Sequence, residues 1–144
     1  MDDPLELDRQ LCFALAATSR EVVRLYRPSL DPLGLTHPQY LVMLALWEES
    51  PLRLREIADR LYLEPATVSP LVGRLEASGL ITRRRSAADE RAVDIALTEE
   101  GAALRERAIA VPGEVVGRLG VPVDHLERLR DELTSLLDAA HRAG

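Results

Sequence analysis

The hydrophobic period of the chain changes at Leu80, and that change constrains the fold more than any other feature. Up to Ser78 the apolar residues follow helical spacing: Val68, Leu71, Val72 and Leu75 lie on one face of a helix, and Gly79 supplies its stop. Beyond it Val93, Ile95 and Leu97 alternate with Ala92, Asp94 and Ala96, the alternation of a strand with one buried face. Leu80 to Arg85 offers an antiparallel partner, joined by the short polar run Ser86-Ala87-Ala88-Asp89-Glu90. Upstream, Arg55 to Leu61 reads as a shorter helix with Ile57, Ala58 and Leu61 on one face. Tyr62-Leu63-Glu64 forms the turn between the two helices, and Leu52-Arg53-Leu54 reads as a very short strand. Two helices, a tight turn and then a hairpin is the order of a winged helix-turn-helix, here between Leu52 and Thr98.

The flanks are helical. Leu5 to Tyr26 lacks Gly and Pro and places Leu11, Leu15 and Val22 at helical spacing, so one long helix is expected, ending before Pro28. Ser29 to Thr36 is a loop. Thr36 caps the next helix, with His37 and Pro38 in its first turn, and that helix runs through Tyr40, Leu41, Leu44 and Trp47 to end before Pro51. Thr98, followed by Glu99 and Glu100, is a helix start, and that helix ends around Ala110 or Val111. A last helix from about Val123 to His141 carries Leu126, Leu129, Leu133, Leu136, Leu137 and Ala140 as a heptad-like stripe that needs a partner surface. The expected fold is mainly α with a small β-hairpin. Residues 1–50 and 112–144 form a helical dimerisation region, and residues 51–111 form a winged helix-turn-helix DNA-binding region, within one continuous domain.

Net charge is −6, which is unfavourable for a nucleic-acid binder until its distribution is considered. Between Arg53 and Arg91 eight arginines face six acids, a local +2, while the rest of the chain carries 10 arginines against 18 acids. There is no lysine, so every cationic side chain here except histidine is a planar fork suited to phosphates, guanine edges and narrow minor grooves. The N-terminal residues of the second helix, Pro65, Ala66, Thr67, Ser69 and Pro70, are placed nearest the bases, with Arg74 one turn on. In the wing, Arg83, Arg84 and Arg85 lead in and Arg91 leads out, with Asp89 placed to orient the Arg91 guanidinium. The bland alternative is a solvated basic hairpin on an ordinary α+β protein.

Other classes fit poorly. No apolar run approaches the roughly 20 residues that span a bilayer, and the N-terminus lacks a signal-peptide pattern, so a cytoplasmic protein with no membrane partner is expected. His37, His125 and His141 do not pair with carboxylates at metal-site spacing, and there is no Gly-rich phosphate loop. No metal, no cofactor and no enzymatic activity are expected. The single cysteine, Cys12, cannot staple the fold from within.

The run Asp89-Glu90-Arg91-Ala92-Val93-Asp94-Ile95-Ala96-Leu97-Thr98, preceded by Gly79-Leu80-Ile81-Thr82-Arg83, resembles the wing signature of MarR-type regulators. Leu11-Cys12-Phe13-Ala14-Leu15, Ser19-Arg20-Glu21, Tyr26-Arg27-Pro28, Pro38-Gln39-Tyr40-Leu41 and Leu46-Trp47-Glu48 resemble the organic-hydroperoxide-sensing branch of that family, called OhrR. The resemblance implies a homodimer with interlocked terminal helices that binds a palindromic site in double-stranded DNA as a repressor. It implies that Cys12 is the peroxide sensor and that Tyr26 matches one of two tyrosines that reach the thiolate across the dimer. His37 stands where the other tyrosine is usual. A sulfenic acid on Cys12 would shift the reading heads off the operator spacing, and with no second cysteine it would pass to a mixed disulfide with an external small thiol or to over-oxidation. Two alternatives stay open: a MarR-type repressor released by a small phenolic or amphipathic ligand with Cys12 inert, and a thiol peroxidase built on Cys12.

Overall fold

A computed structural model describes residues 3–144. Seven α-helices and three strands follow in the order α1 (Leu11–Leu30), α2 (His37–Glu48), β1 (Leu52–Arg53), α3 (Leu54–Leu61), α4 (Pro65–Ala77), β2 (Ile81–Arg85), β3 (Val93–Leu97), α5 (Glu99–Ala108), α6 (Val111–Leu119) and α7 (Val123–Ala143). The strands form one antiparallel sheet in the order β1-β3-β2, with Leu52 opposite Ile95 and Ile81 opposite Leu97. No helix among the described residues is long and apolar enough to cross a membrane.

The apolar periodicity places one core. Helix α2 is apolar nearly all round, as a central helix must be, and buries Tyr40, Val42, Met43, Ala45 and Leu46. Around it pack Leu30 from α1, Ile57 from α3, Val68, Val72 and Leu75 from α4, Ile81 and Ile95 from the sheet, Leu104 from α5 and Val115 from α6. Thr36 caps α2 through a reciprocal box with Gln39: the Gln39 N–H donates to Thr36 Oγ1, and the Thr36 N–H donates to Gln39 Oε1.

Three boundaries differ from the sequence expectation. The first helix begins at Leu11, not near Leu5, because Gln10 takes an extended backbone (φ −85°, ψ 121°) and turns its side-chain amide back to the Pro4 and Glu6 carbonyls. It then continues through Pro28 to Leu30. Proline there removes the N–H that would bond the Arg24 carbonyl. The last turn is held instead from outside: Arg118 of α6 donates to the Leu25 carbonyl (2.8 Å) and to Ser29 Oγ (2.7 Å), and Leu30 is buried. The third difference is α6, a helix not foreseen, which starts with Pro112 in its first turn, where the missing N–H does no harm.

The base of the hairpin is fastened to the helical core at Gly101. Gly79 (φ +81°) ends α4, and the Leu80 N–H returns to the Leu75 carbonyl. Thr98 caps α5 by accepting from the Gly101 N–H and donates its own hydroxyl to the Gly79 carbonyl, while Trp47 Nε1 donates to the Gly101 carbonyl (2.9 Å). A Cβ on residue 101 would sit 2.0 Å from the Leu80 backbone oxygen. Gly101→Ala is therefore expected to destabilise the protein by about 1–3 kcal/mol, the usual cost of overpacking, and this exceeds what alanine gains in a first helical turn. A urea midpoint that does not fall would refute this.

The two terminal helices are left open. Helix α7 buries no residue, and Leu129, Leu133, Leu136 and Leu137 are about 40% exposed along it. In α1 only Ser29 and Leu30 are buried, and Leu11 and Phe13 face outward. Contiguous apolar surface of this extent marks an interaction face.

Candidate nucleic-acid interface and thiol site

Helix α4 divides into two faces. Val68, Leu71, Val72 and Leu75 enter the core. Ala66, Thr67, Pro70 and Arg74 lie on the opposite, exposed side, spaced so that they form one stripe from the helix start. Of the residues expected to read DNA, Ala66, Thr67 and Arg74 are thus brought together, and Pro65 and Ser69 lie half-buried at the edge of the stripe. Pro70 also removes the N–H that would bond the Ala66 carbonyl, which leaves that acceptor on the exposed face.

In the hairpin, Arg84 pairs in register with Asp94 and Arg85 with Val93, and both arginines are exposed. Adjacent strand residues point to opposite faces, so the two project from opposite sides of the ribbon. Arg83 does something else. Its backbone N–H donates to Glu76 Oε2 (3.3 Å), and its Nε lies 3.5 Å from Glu76 Oε1. Its guanidinium lies beside Gly73. Arg83 therefore fastens the wing to the reading helix. That pairing spans α4 and β2 and has no local pattern that would reveal it.

The tip of the wing is closed by its own residues. Ser86 N–H donates to the Ala92 carbonyl, Ala92 N–H to the Asp89 carbonyl, and Arg91 N–H to Asp89 Oδ1 (3.0 Å). Asp89 was expected to orient the Arg91 guanidinium, but the contact found is with the Arg91 backbone. It is an Asx-type turn that shapes the tip on which Arg91 is displayed.

The thiol residues fall at two places in one protomer. Cys12 is exposed, at the second position of α1. Tyr26 lies fourteen positions further along the same helix, about 21 Å away along the axis but within roughly 40° of the same face. There Tyr26 meets His37 edge to face at 4.8 Å between ring centroids, and Tyr40 completes a cluster at 5.9 Å from Tyr26 and 6.2 Å from His37. Tyr40 is the member sequence reasoning did not select. Tyr26 and His37 border a cleft of ≈ 260 Å³ lined also by Arg27, Leu30 and Thr36. Burial lowers the His37 pKa below the ordinary histidine value and raises that of Tyr26. Tyr40 is raised by burial and then by the neighbouring Tyr26. All three rings are uncharged near neutrality, so His37 presents hydrogen-bonding nitrogens and no full charge.

The chain is similar to known proteins in sequence and in fold. Residues 35–93 match the model described as MarR family. The chain is 44% identical over 140 residues to the organic hydroperoxide resistance transcriptional regulator of Bacillus subtilis (strain 168), covering 97% of this chain and 95% of that one. Among solved structures, AbfR of Staphylococcus epidermidis superposes with TM-score 0.78 at 33% identity, over 94% of each chain. Reduced AbfR bound to DNA superposes with TM-score 0.74 at 36% identity, over 93% of this chain and 94% of that one.

Proposed function

The chain belongs to the MarR family of DNA-binding transcriptional regulators, and from that premise we propose that it is a homodimeric repressor released from its operator when an organic hydroperoxide oxidises Cys12. The observation that carries the reading is the placement of Cys12 and the Tyr26–His37 cluster on one face of α1 but at opposite ends. Within a protomer they are too far apart to act together. A two-fold axis passing near Ser19, midway between them, sets two α1 helices antiparallel and brings Cys12 level with the partner's Tyr26 and the partner's His37.

The relatives support this reading. One is a regulator of organic hydroperoxide resistance, and another binds DNA in its reduced form. Residues 1–50 and 112–144 hold the dimer, and residues 51–111 meet double-stranded DNA at a palindromic site, in the cytoplasm. Ala66, Thr67 and Arg74, flanked by Pro65 and Ser69, enter the major groove. Arg91 at the wing tip, shaped by Asp89, enters the minor groove, and Arg84 and Arg85 serve the backbone.

In the chemical step the Cys12 thiolate attacks the outer oxygen of the hydroperoxide. The O–O bond breaks, the alcohol leaves with a proton, and sulfur becomes a sulfenic acid. A small external thiol then condenses with it, releasing water and leaving a mixed disulfide on a surface that must fit the partner. The test is operator binding before and after stoichiometric cumene hydroperoxide, followed by mass spectrometry of the Cys12 peptide and addition of dithiothreitol. Release, one added oxygen on Cys12 and recovery with the reductant are expected. Release without a change at Cys12, or none at all, overturns the proposal.

A further inference from the structure

Helix α7 has one ring contact with the DNA-binding lobe, and it falls at the turn that carries the reading helix. His141, in its last turn, meets Tyr62 edge to face, with ring centroids 5.2 Å apart and planes at 84°. Tyr62 lies between α3 and α4, three residues before Pro65 begins the reading helix. It is the one non-glycine residue with positive φ among the described residues (57°), an unusual backbone for a bulky side chain. Its ring is half exposed and borders a cleft of ≈ 640 Å³ that separates the end of α7 from Arg55, Asp59 and Glu64. Elsewhere α7 is open: none of its residues is buried.

His141 also continues an apolar row. Leu133, Leu137 and His141 are spaced by four, so they lie above one another on α7. The leucines of that row await the second protomer, and the row ends on Tyr62. A displacement of α7 at the dimer interface therefore reaches the turn before α4 through one aromatic contact.

We propose that His141 is a positioning residue: its contact with Tyr62 ties the dimerisation helix to the reading helix and so fixes the separation of the two reading helices on DNA. This rests on the DNA-binding reading above. The contact acts through geometry, and His141 itself does not touch DNA.

The experiment uses the full-length dimer and an operator duplex selected by it from random-sequence DNA, together with duplexes whose half-sites are one base pair closer or further apart. His141→Ala is expected to weaken binding at the selected spacing by about 2- to 10-fold, the range for removal of an aromatic pair. It is expected also to flatten the preference for that spacing over its neighbours. The salt dependence should be unchanged, because every phosphate keeps its partner. His141→Phe, which keeps the ring, should restore affinity and spacing preference. Tyr62→Leu should reproduce His141→Ala, and the double variant should be no worse than either. Equal spacing preference in His141→Ala and the parent overturns the strut. So does a shallower salt dependence, which would place His141 on DNA itself. If the parent selects no DNA, the DNA-binding reading fails and the strut with it, whereas parental binding with an unaltered His141→Ala variant removes the strut alone.

Discussion

Cys12→Ser is expected to bind operator as the parent does and to stay bound in organic hydroperoxide. The expected contrast is large. An allosteric coupling of about 1–3 kcal/mol corresponds to a roughly 5- to 150-fold drop in affinity in the oxidised parent, and the serine variant should show none of it. The substitution changes one atom of an exposed side chain, so it leaves the fold and the reading heads intact. Serine has no accessible oxidation step, so the O–O bond finds no nucleophile there. Fluorescence anisotropy on a labelled operator, with and without peroxide, reads the result. If the serine variant is released as readily as the parent, the thiol is not the switch, and a ligand-released repressor becomes the better account.

The same geometry explains why a change at Cys12 can reach DNA. Helix α1 buries Ser29 and Leu30 at its C-terminal end, where Arg118 clasps Leu25 and Ser29, and its first turns are exposed. In the dimer proposed above, a group attached to Cys12 would have to fit against the Tyr26–His37 cluster of the other protomer and the cleft beside it. That cluster rests on Tyr40, which is in the core of α2. Helix α2 in turn holds Gly101 through Trp47, and Gly101 holds the base of the wing. Each link is either close-packed or hydrogen-bonded, so a displaced α1 has a continuous path to the DNA-binding lobe.

Much of this was legible in the residues. The winged helix could be read because its parts use different periods: the apolar face of α4 follows helical spacing, the alternation of β3 follows strand spacing, and Gly79 divides them. Thr36 and Thr98 marked their helix starts for the same local reason, a hydroxyl one residue before the first turn. What could not be read was decided at a distance. Pro28 was expected to end α1, yet the helix continues because Arg118, ninety positions downstream, supplies donors to its last turn. Asp89 was expected on the Arg91 guanidinium and instead bonds the Arg91 N–H, a choice set by the tightness of the turn. The pairing of Arg83 with Glu76, the packing of His37 against Tyr26 and the reach of His141 to Tyr62 depend on how elements cross, and spacing within one element carries no information about that.

The wing arginines should separate into two kinds when each is replaced by alanine. Arg91 sits on a tip shaped by Asp89, clear of the ribbon, where a guanidinium can enter a narrow minor groove. Arg84 and Arg85 lie on opposite faces of β2, further from the tip, where phosphates are the available partners. Removing an arginine from its DNA partner costs about 1–3 kcal/mol, and a dimer is affected twice, so Arg91→Ala is expected to weaken operator binding by roughly one to four orders of magnitude. The effect should depend on sequence: it should be largest on operators with A·T-rich flanks and small on G·C-rich ones, because groove width and potential follow the sequence. Arg84→Ala or Arg85→Ala should weaken binding to all duplexes by a similar factor and reduce the logarithmic salt slope by about one for each phosphate left unneutralised, hence about two per dimer. Arg83→Ala should differ from both, because its guanidinium is already engaged by Glu76; it should loosen the wing and leave the salt slope nearly unchanged. Binding isotherms across a range of salt on two flanking sequences decide the matter. Were Arg91→Ala to weaken both duplexes equally and lower the salt slope, Arg91 would be one more phosphate clamp, and specificity would have to come from α4 alone.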